Sequence, residues 1–181
     1  MISLTKTGRY VAIQPLAEPE IPILTNELLK CERLINHHQR FYLQCEGKCL
    51  YFIAWDEKLP VGHAIVYWDS DMFFEPQAVR NLHIPRIEDL WVMPHCRGEG
   101  IASKLMDCVE ASAKERGFSK IGLDVRLSNH LARRIYQKRG YKNTGIPAYE
   151  LRGVSIINGK EYFWREPNCI FLIKRLLAVQ K

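Results

Sequence analysis

The apolar residues of the chain follow two spacings, one typical of strands and one typical of helices. Runs rich in β-branched and aromatic residues, bounded by turn residues, predict strands. The predicted strands cover residues 9–16, 87–93, 120–127, 149–157 and 169–177, and a predicted hairpin covers 49–69. Apolar residues three and four positions apart predict helices. The predicted helices cover residues 23–42, 100–116 and 130–139.

Glycine, proline and short polar residues mark the ends of these elements. Pro94 stops the strand before it, Gly117 follows the last turn of the second helix, and Ser128 or Asn129 caps the third. Two segments lack a periodic pattern. We predict a loop at residues 70–86, which hold two prolines, and a connection between the last two strands at residues 158–168.

The element order is β-α-β-β, then β-α-β-α, then β-β, which predicts a mixed α/β fold with helices over a central sheet. The chain has 181 residues, a length that suits one domain with its own core. It contains no repeat, low-complexity tract or flexible linker, so we predict a single domain over residues 1–181. There is no apolar run near the roughly 20 residues of a membrane helix and no signal-peptide pattern, so we expect a soluble, cytoplasmic protein.

The stretch "MPHCRGEGIASKLMDCVE" at residues 93–110 carries the first chemical signal. A turn with one arginine and two glycines follows a strand and opens a helix. The first N–H groups of a helix lack partners within it, and the helix dipole adds positive potential there. Gly98 and Gly100 would let the backbone approach an anion closely, and Arg97 adds a charged donor. The alternative is a glycine-rich connection with a solvated arginine.

Two nucleotide-binding motifs fit this turn less well. A Walker A loop requires Lys-Ser/Thr after its last glycine, whereas Ile101-Ala102 follows here. A dinucleotide fingerprint requires a third glycine, which Ala102 does not supply. These two kinds of nucleotide site therefore fit the turn less well than an anion site of another kind.

Charge is unevenly distributed along the chain. Residues 1–86 contain nine basic and ten acidic residues, whereas residues 87–181 contain seventeen and ten. A basic C-terminal half suits a polyanion, such as a phosphorylated cofactor or a nucleic acid, or it is a solvated helix face. The chain has no nucleic-acid recognition motif or aromatic stacking platform, so we predict no nucleic-acid partner.

Other chemically active side chains are interpreted as structural. The six cysteines form no Cys-x-x-Cys pair and are expected to be reduced; a zinc site at His37, His38, Cys45 and Cys49 has no common ligand spacing. Cys96, beside Arg97, would be reactive only if its pKa were lowered. We expect a hydrogen-bonded structural role for His63. The remaining candidates are loop carboxylates that would either attract a cationic amine or be solvated: Asp69, Asp71 and Glu75.

Two segments taken together resemble the GNAT N-acetyltransferase superfamily. They are "IEDLWVMPHCRGEGIASKLM" and, about thirty residues after the turn, "SNHLARRIYQKRGYK". The family's acetyl-CoA signature, Arg/Gln-x-x-Gly-x-Gly/Ala, is similar to Arg97, Gly100 and Ala102. Its downstream pattern of Asn, Tyr and Gly-Tyr/Phe is similar to Asn129, Tyr136 and Gly140-Tyr141. The resemblance covers residues 87–142 and implies a GNAT-like fold with a mostly antiparallel sheet and flanking helices.

The resemblance also implies a role for each matching residue. Backbone groups of Leu90, Trp91 and Val92 would bind the pantetheine arm and the acetyl carbonyl, and Asn129 would hydrogen-bond the pantetheine. The pyrophosphate of CoA would be held by Arg97, Gly98, Glu99, Gly100, Ile101, Ala102 and Ser103. Tyr136 would be the general acid for the thiolate, and Glu88 would be the base, as in polyamine-type members. Three of these residues keep a structural alternative. Glu88 would be a strand carboxylate, Tyr136 a packing aromatic and Asn129 a helix cap.

The implied activity is the transfer of an acetyl group from acetyl-CoA to a primary amine in a ternary complex. An alkylamine with a pKa near ~10 is mostly protonated at pH 7, so a carboxylate helps to remove its proton, and a tyrosine can protonate the thiolate. The alternative is a GNAT-like module that binds acyl-CoA without turnover. The acceptor, a small molecule or a peptide or protein, is not named by any motif. No metal or membrane partner is predicted, and the C-terminal strands offer a route to a homodimer.

Overall fold

A computed structural model describes residues 2–5, 8–31, 35–69, 75–157 and 159–176. The described residues form nine strands and five helices. The strands are β1 (Ile2–Leu4), β2 (Tyr10–Pro15), β3 (Cys49–Asp56), β4 (Leu59–Tyr67), β5 (Arg86–Val92), β6 (Lys120–Arg126), β7 (Lys142–Asn143), β8 (Tyr149–Ile157) and β9 (Lys160–Arg175). The helices are α1 (Ile21–Leu29), α2 (His37–Cys45), α3 (Gln77–Arg80), α4 (Ile101–Glu115) and α5 (His130–Lys138). None of these helices has the length and apolar character needed to cross a membrane.

The prediction of one helix over residues 23–42 is wrong, because two helices, α1 and α2, occupy this region. Asn36 immediately precedes α2 and marks its start. Its backbone is not helical, and its side chain accepts the N–H of Gln39 at 2.9 Å, which starts α2 as a cap. A helical spacing of apolar residues can persist across such a break, so the pattern alone does not reveal it. Leu34, part of that pattern, lies outside the described residues.

The prediction that residues 158–168 only connect the last two strands is also wrong. β9 begins at Lys160 and continues through this segment, and it pairs with β8 from Ile157↔Lys160 to Tyr149↔Cys169. Tyr162, Phe163 and Trp164 favour a strand. Their cross-strand pairing with β8 outweighs the polar residues around them, so the last two strands form one long hairpin.

The chain divides into two compact units. The first unit comprises Met1–Val66 and Asp89–Ala111, and the second comprises Tyr67–Glu88 and Ser112–Lys181. β5 and α4 each contribute residues to both units.

In the first unit, β1, β2, β3 and β4 are neighbours in that order, and residues 89–92 of β5 continue it. Pairing between β1 and β2 and between β2 and β3 is antiparallel. α4 buries Leu105 and Val109 completely. Gly62 allows the close packing of β4, since a Cβ there would lie 2.9 Å from the carbonyl oxygen of Trp91 and 3.4 Å from Leu105. The start of α4 is thereby held close to β4 and to the end of β5.

In the second unit, residues 86–88 of β5, then β6, β9 and β7 lie side by side, and β8 pairs with β9. β5 runs parallel to β6, with Arg86 opposite Gly122 and Ile87 opposite Leu123. β6 is antiparallel to β9 along its whole length. A side chain at Gly122 would overlap the ring of Phe171. Because glycine has no side chain, Phe171 of β9 can pack against β6 at this position. Asn129, rather than Ser128, caps α5.

Candidate active site

The glycine-rich turn lies in the first unit, between a short 3-10 turn at Pro94–Cys96 and α4. Gly98 and Gly100 both have left-handed backbones, with φ of 85° and 90°. No heavy atom lies within 4 Å of the position that a Cβ would take at either glycine. The turn therefore has open space beside its backbone, and side chains would be strained there. This geometry suits the approach of a ligand rather than tight internal packing.

The first turn of α4 supplies the donors of this region. The hydrogen bond from Lys104 N to the carbonyl oxygen of Gly100, at 3.2 Å, closes that turn. The N–H groups of Ile101, Ala102 and Ser103 precede it and point towards the helix start. The side chain of Ile101 is 1% exposed and belongs to the core, so only its backbone can contribute to a site.

Arg97 fastens the turn to the end of β5. Its side chain is exposed, and its Nε donates to the carbonyl oxygen of Val92 at 3.1 Å. This bond occupies one backbone acceptor in the stretch predicted to bind pantetheine. The other N–H groups of the guanidinium extend from a side chain that is fixed at one point. Arg97 is thus placed to present charge beside the glycines.

Two neighbours of the turn are directed into the first unit. Glu99 is 9% exposed, and its charge is the largest influence that raises the pKa of Arg9. Cys96 is fully buried and lies 3.4 Å from Nη1 of Arg9, and burial raises the pKa of its thiol. The condition under which Cys96 would be reactive, a lowered pKa, is therefore not met. Glu99 can serve a ligand only through its backbone.

Glu88 lies in the second unit as the most exposed member of a buried ion-pair cluster. Its Oε1 is 2.8 Å from Nε of Arg86, and its side chain is 19% exposed. The guanidinium of Arg86, 1% exposed, also pairs with Glu75 and Asp124. The hydroxyl of Tyr149 donates to Asp124. Arg86 thus holds the carboxylate of Glu88 in place, and the Glu88 side chain remains partly exposed.

Burial governs the protonation of this cluster. It raises the pKa of Asp124, an effect that Arg86 opposes. It also raises the pKa of Tyr149, and the Asp124 charge adds to that rise. Both roles considered for Glu75, attraction of a cationic amine and solvation, are wrong, because the Glu75 side chain is fully buried against Arg86. Asp69 is exposed, and Asp71 lies outside the described residues.

Tyr136 lies on α5, half-buried, with its ring centroid 5.9 Å from that of Tyr141. Burial, followed by the charge of Glu88, raises the pKa of Tyr136 to about 12. The phenol therefore stays protonated at neutral pH and can act as a proton donor. Gly140, with φ of 88°, ends the helix and directs Tyr141 into the core, where it is 2% exposed. Glu88 and Tyr136 are thus brought into electrostatic contact within one unit.

Asn129 performs the capping role at the start of α5. Its Oδ1 accepts the N–H of Ala132 at 3.1 Å. The residue itself is exposed. Capping uses the acceptor of the amide, and its NH₂ group is a donor of the kind that pantetheine amide oxygens require.

A second polar cluster, in the first unit, surrounds Asp89. Its Oδ2 is 2.9 Å from Nη2 of Arg40 and 3.2 Å from Nε2 of His63. His63 is fully buried and stacks on Trp91, with ring centroids 5.6 Å apart. Asp89 has a left-handed backbone, φ 48°, inside β5. His63 therefore has the structural role predicted for it, and its partners hold an unusual backbone conformation in the strand.

His37, one of the four residues weighed as zinc ligands, has a different partner. Its Nδ1 lies 3.1 Å from the hydroxyl of Tyr51. Burial lowers the pKa of His37 to about 3, so it is neutral at physiological pH. Among the described residues, no three His, Cys, Asp or Glu side chains are grouped in a way that could hold a metal ion.

Arg86 and the Asp89 cluster were missed by sequence reasoning. The available signal was charge at the start of an apolar strand: "RIEDLWV" begins with arginine and carries two acids. A charged residue in a buried strand requires partners. Glu88 is two positions along the same strand, but Glu75 and Asp124 come from other segments of the chain and could not be named beforehand.

The sequence profile of the acetyltransferase (GNAT) family matches residues 21–141, and the chain belongs to that family. The uncharacterized N-acetyltransferase YhfO of Bacillus subtilis (strain 168) is 29% identical over 77 residues, 42% of this chain and 50% of that protein. The chain thus spans about half the length of this curated relative.

Solved structures of the same class share the fold at low sequence identity. The ribosomal-protein-S18-alanine N-acetyltransferase from Escherichia coli has a TM-score of 0.62 at 16% identity, over 94% of this chain and 97% of its own. A GNAT family acetyltransferase from Elizabethkingia anophelis with acetyl-CoA bound has a TM-score of 0.57 at 20% identity, over 92% and 98%. The predicted mixed α/β fold, with a mainly antiparallel sheet and flanking helices, is confirmed.

Proposed function

We propose that this chain transfers an acetyl group from acetyl-CoA to a primary amine by direct attack in a ternary complex. The observation that carries the proposal is the open turn at Arg97–Gly100. Its two glycines leave space beside the backbone, and the donors of a 15-residue helix follow at once. Family membership supports the same assignment, and a relative in fold has been solved with acetyl-CoA bound.

The residues of the turn fit a pyrophosphate. Arg97, which is exposed, supplies charge, and the backbone from Gly98 to Ser103 supplies N–H donors. A Cβ at Gly98 or Gly100 would enter the space that the phosphates require. We further propose that Asn129 donates to the pantetheine and that backbone groups of Leu90 and Trp91 accept or donate along it.

Acetyl-CoA supplies a thioester, whose acyl carbon is the electrophile and whose sulfur is the leaving group. Glu88 accepts the proton of the acceptor ammonium, directly or through water, so that a neutral amine can attack. A backbone N–H of residues 90–92 polarises the acyl carbonyl. As the carbon–sulfur bond breaks, Tyr136 donates its phenolic proton to the departing thiolate. The proton that the attacking nitrogen loses to become an amide nitrogen passes, directly or through water, to the tyrosinate and restores the phenol. The pKa of Tyr136, about 12, keeps the phenolic proton available at pH 7.

The test is a thiol-release assay with acetyl-CoA against a panel of amines, combined with calorimetric binding of acetyl-CoA. The panel contains a diamine, an aminoglycoside, a lysine peptide and a peptide with a free N-terminus. We expect saturable release with at least one class and an acetylated product by mass spectrometry. Binding without release by any acceptor would favour the non-catalytic acyl-CoA-binding module. Absence of binding would refute both.

A further inference from the structure

The outer part of the C-terminal hairpin, which we call the ribbon, comprises residues 151–157 of β8 and 160–166 of β9. The β6 ladder uses only residues 169–175 of β9, and the β7 ladder uses 172–173. Within the described part of the chain, no third strand pairs with the ribbon. An isolated two-stranded hairpin is marginally stable in water. The ribbon therefore depends on what covers its faces.

The two faces of the ribbon differ. On one face Leu151 is 4% exposed, and the ring of Trp164 covers Gly153 so closely that a side chain at 153 would overlap it. The other face carries Val154 and, directly opposite on β9, Phe163. Phe163 is 79% exposed, and Val154 and Ile156 are each 39% exposed. Trp164 thus covers one face at Gly153, although Tyr162 on the same face is 47% exposed, and the other face presents an apolar centre to solvent.

Charge on the exposed face has a direction along the ribbon. Arg152 lies opposite Arg165 on one side of the apolar centre, and Ile156 lies opposite Glu161 on the other. Arg152 donates to Glu150 at 2.6 Å. Among the described residues, Arg165 and Glu161 form no ion pair. The face therefore has a cationic end, an apolar centre and an acidic end.

We propose that this face binds the same face of a second copy of the chain, about a two-fold axis perpendicular to the strands. In that arrangement Phe163 meets Phe163 of the second copy, and Val154 meets Val154. Arg165 meets Glu161 in both directions, as an isologous interface requires. An axis along the strands would instead place Arg152 over Arg165. Charge thus selects one of the two arrangements.

The size of the face sets the strength of the dimer. Seven strand residues span roughly 23 Å, and two strands span roughly 10 Å. The area of a face with these dimensions is below the roughly 800 Å² per partner of a standard stable interface. We expect a reversible dimer whose population rises with protein concentration, with Phe163 as its central anchor.

Sedimentation velocity on the full chain over a concentration series tests the proposal. Phe163→Ser should raise the apparent dimer dissociation constant at least tenfold. Leu131→Ser is the matched control, because Leu131 is also apolar and 73% exposed but lies on α5; it should leave the constant unchanged. A monomer at every concentration, or equal loss in both variants, would overturn the proposal.

Charge reversal tests the arrangement itself. Arg165→Glu and Glu161→Arg each place like charges together and should weaken the dimer severalfold. The double variant restores opposite charges and should recover the wild-type dissociation constant. Additive weakening in the double variant would refute the two-fold pairing. Circular dichroism of each variant checks that the hairpin remains folded.

Discussion

Tyr136 shows how strongly a single residue depends on its surroundings. An exposed tyrosine has a pKa near ~10, and here burial and the Glu88 charge raise the pKa to about 12. A higher pKa makes the phenol a weaker acid but keeps it fully protonated at pH 7. The phenol therefore carries the proton that the proposed role of Tyr136 as general acid requires.

Replacement of Tyr136 by phenylalanine keeps the ring and removes the proton. We expect kcat to fall by tenfold or more, about 1.4 kcal/mol or more in activation free energy, with little change in acetyl-CoA affinity. The measurements are steady-state kinetics and calorimetry with an acceptor from the panel. Tyr42→Phe, at an exposed position, is the control. An unchanged kcat in Tyr136→Phe would remove Tyr136 as the acid.

Arg86 is the residue on which the second unit's polar cluster depends. It is a buried cation that faces Glu75, Glu88 and Asp124. Loss of one partner from a buried ion-pair network leaves charges without compensation. Arg86→Met should therefore lower the free energy of unfolding by about 3–5 kcal/mol near pH 7. Arg126→Met, which breaks a surface pair with Glu166, should cost less than about 1 kcal/mol.

The Arg86→Met deficit should depend on pH in a defined direction. The native pKa of Asp124 is raised above its usual 3.8, and Arg86 limits the rise. A carboxyl with a raised native pKa binds its proton more tightly when folded, so its contribution to stability falls as pH rises from 3.8 through the native pKa. Without Arg86 the native pKa of Asp124 rises further, and the pH range over which stability is lost becomes wider. Urea unfolding should show a larger deficit at pH 7 than at pH 4; a constant deficit would contradict this.

Single residues also show which assignments were accessible from local sequence. Asn129 as a cap and His63 as a structural residue follow from neighbours or from burial in a strand, and both are observed. Arg86 pairs with Glu88 two positions along the same strand, but the cluster to which this pair belongs also needs residues from other elements. Glu75 and Asp124 complete the cluster from other elements, and sequence spacing does not encode that meeting.

At the scale of elements, α4 is flanked by two glycines that can be compared with each other. Gly100 precedes the helix and Gly117 follows it, with φ of 90° and 85° and open space beside both. Substitution of either by alanine imposes the same left-handed strain, about 1 kcal/mol. The two positions therefore have matched costs in stability and different proposed roles.

We expect Gly100→Ala to weaken acetyl-CoA binding at least fivefold, because the methyl group enters the space proposed for the pyrophosphate. Gly117→Ala should leave the affinity unchanged. Calorimetric titration measures both, and thermal unfolding should show similar destabilisation in the two variants. Equal affinities would refute the assignment of the turn to the phosphate.

Elements with strong periodicity and clear end signals were predicted closely. The prediction for α4 was 100–116, and the helix spans Ile101–Glu115. Two of the wrong predictions have different causes. At 23–42 a cap interrupts a continuing apolar pattern, and at 160–168 the partner strand determines the structure. The break at Asn36 is a local interaction, whereas the strand at 160–168 depends on its pairing with β8.

At the scale of the whole molecule, a ligand that binds only the native state stabilises it by mass action. Acetyl-CoA at about 100 times its Kd should add about 2.7 kcal/mol and raise Tm. Differential scanning calorimetry over a ligand series measures the rise. CoA without its acetyl group is the comparison, and it should stabilise to a similar degree if the pyrophosphate dominates binding. No shift with either ligand would contradict the catalytic and the binding proposals alike.

The sequence by itself determined most of the strands and helices, the turn at Arg97–Gly100, the Asn-Tyr-Gly pattern downstream of it and, through them, the resemblance to the family. These features are local: they rest on spacing, caps and glycine backbones within a few residues of one another. Only the tertiary structure decided that Arg86 gathers three carboxylates, that Asp89 lies between Arg40 and His63, and that Phe163 stands exposed on a ribbon. The reason is physical. Burial, ion pairing and strand partnership depend on residues that the fold brings together from distant parts of the chain.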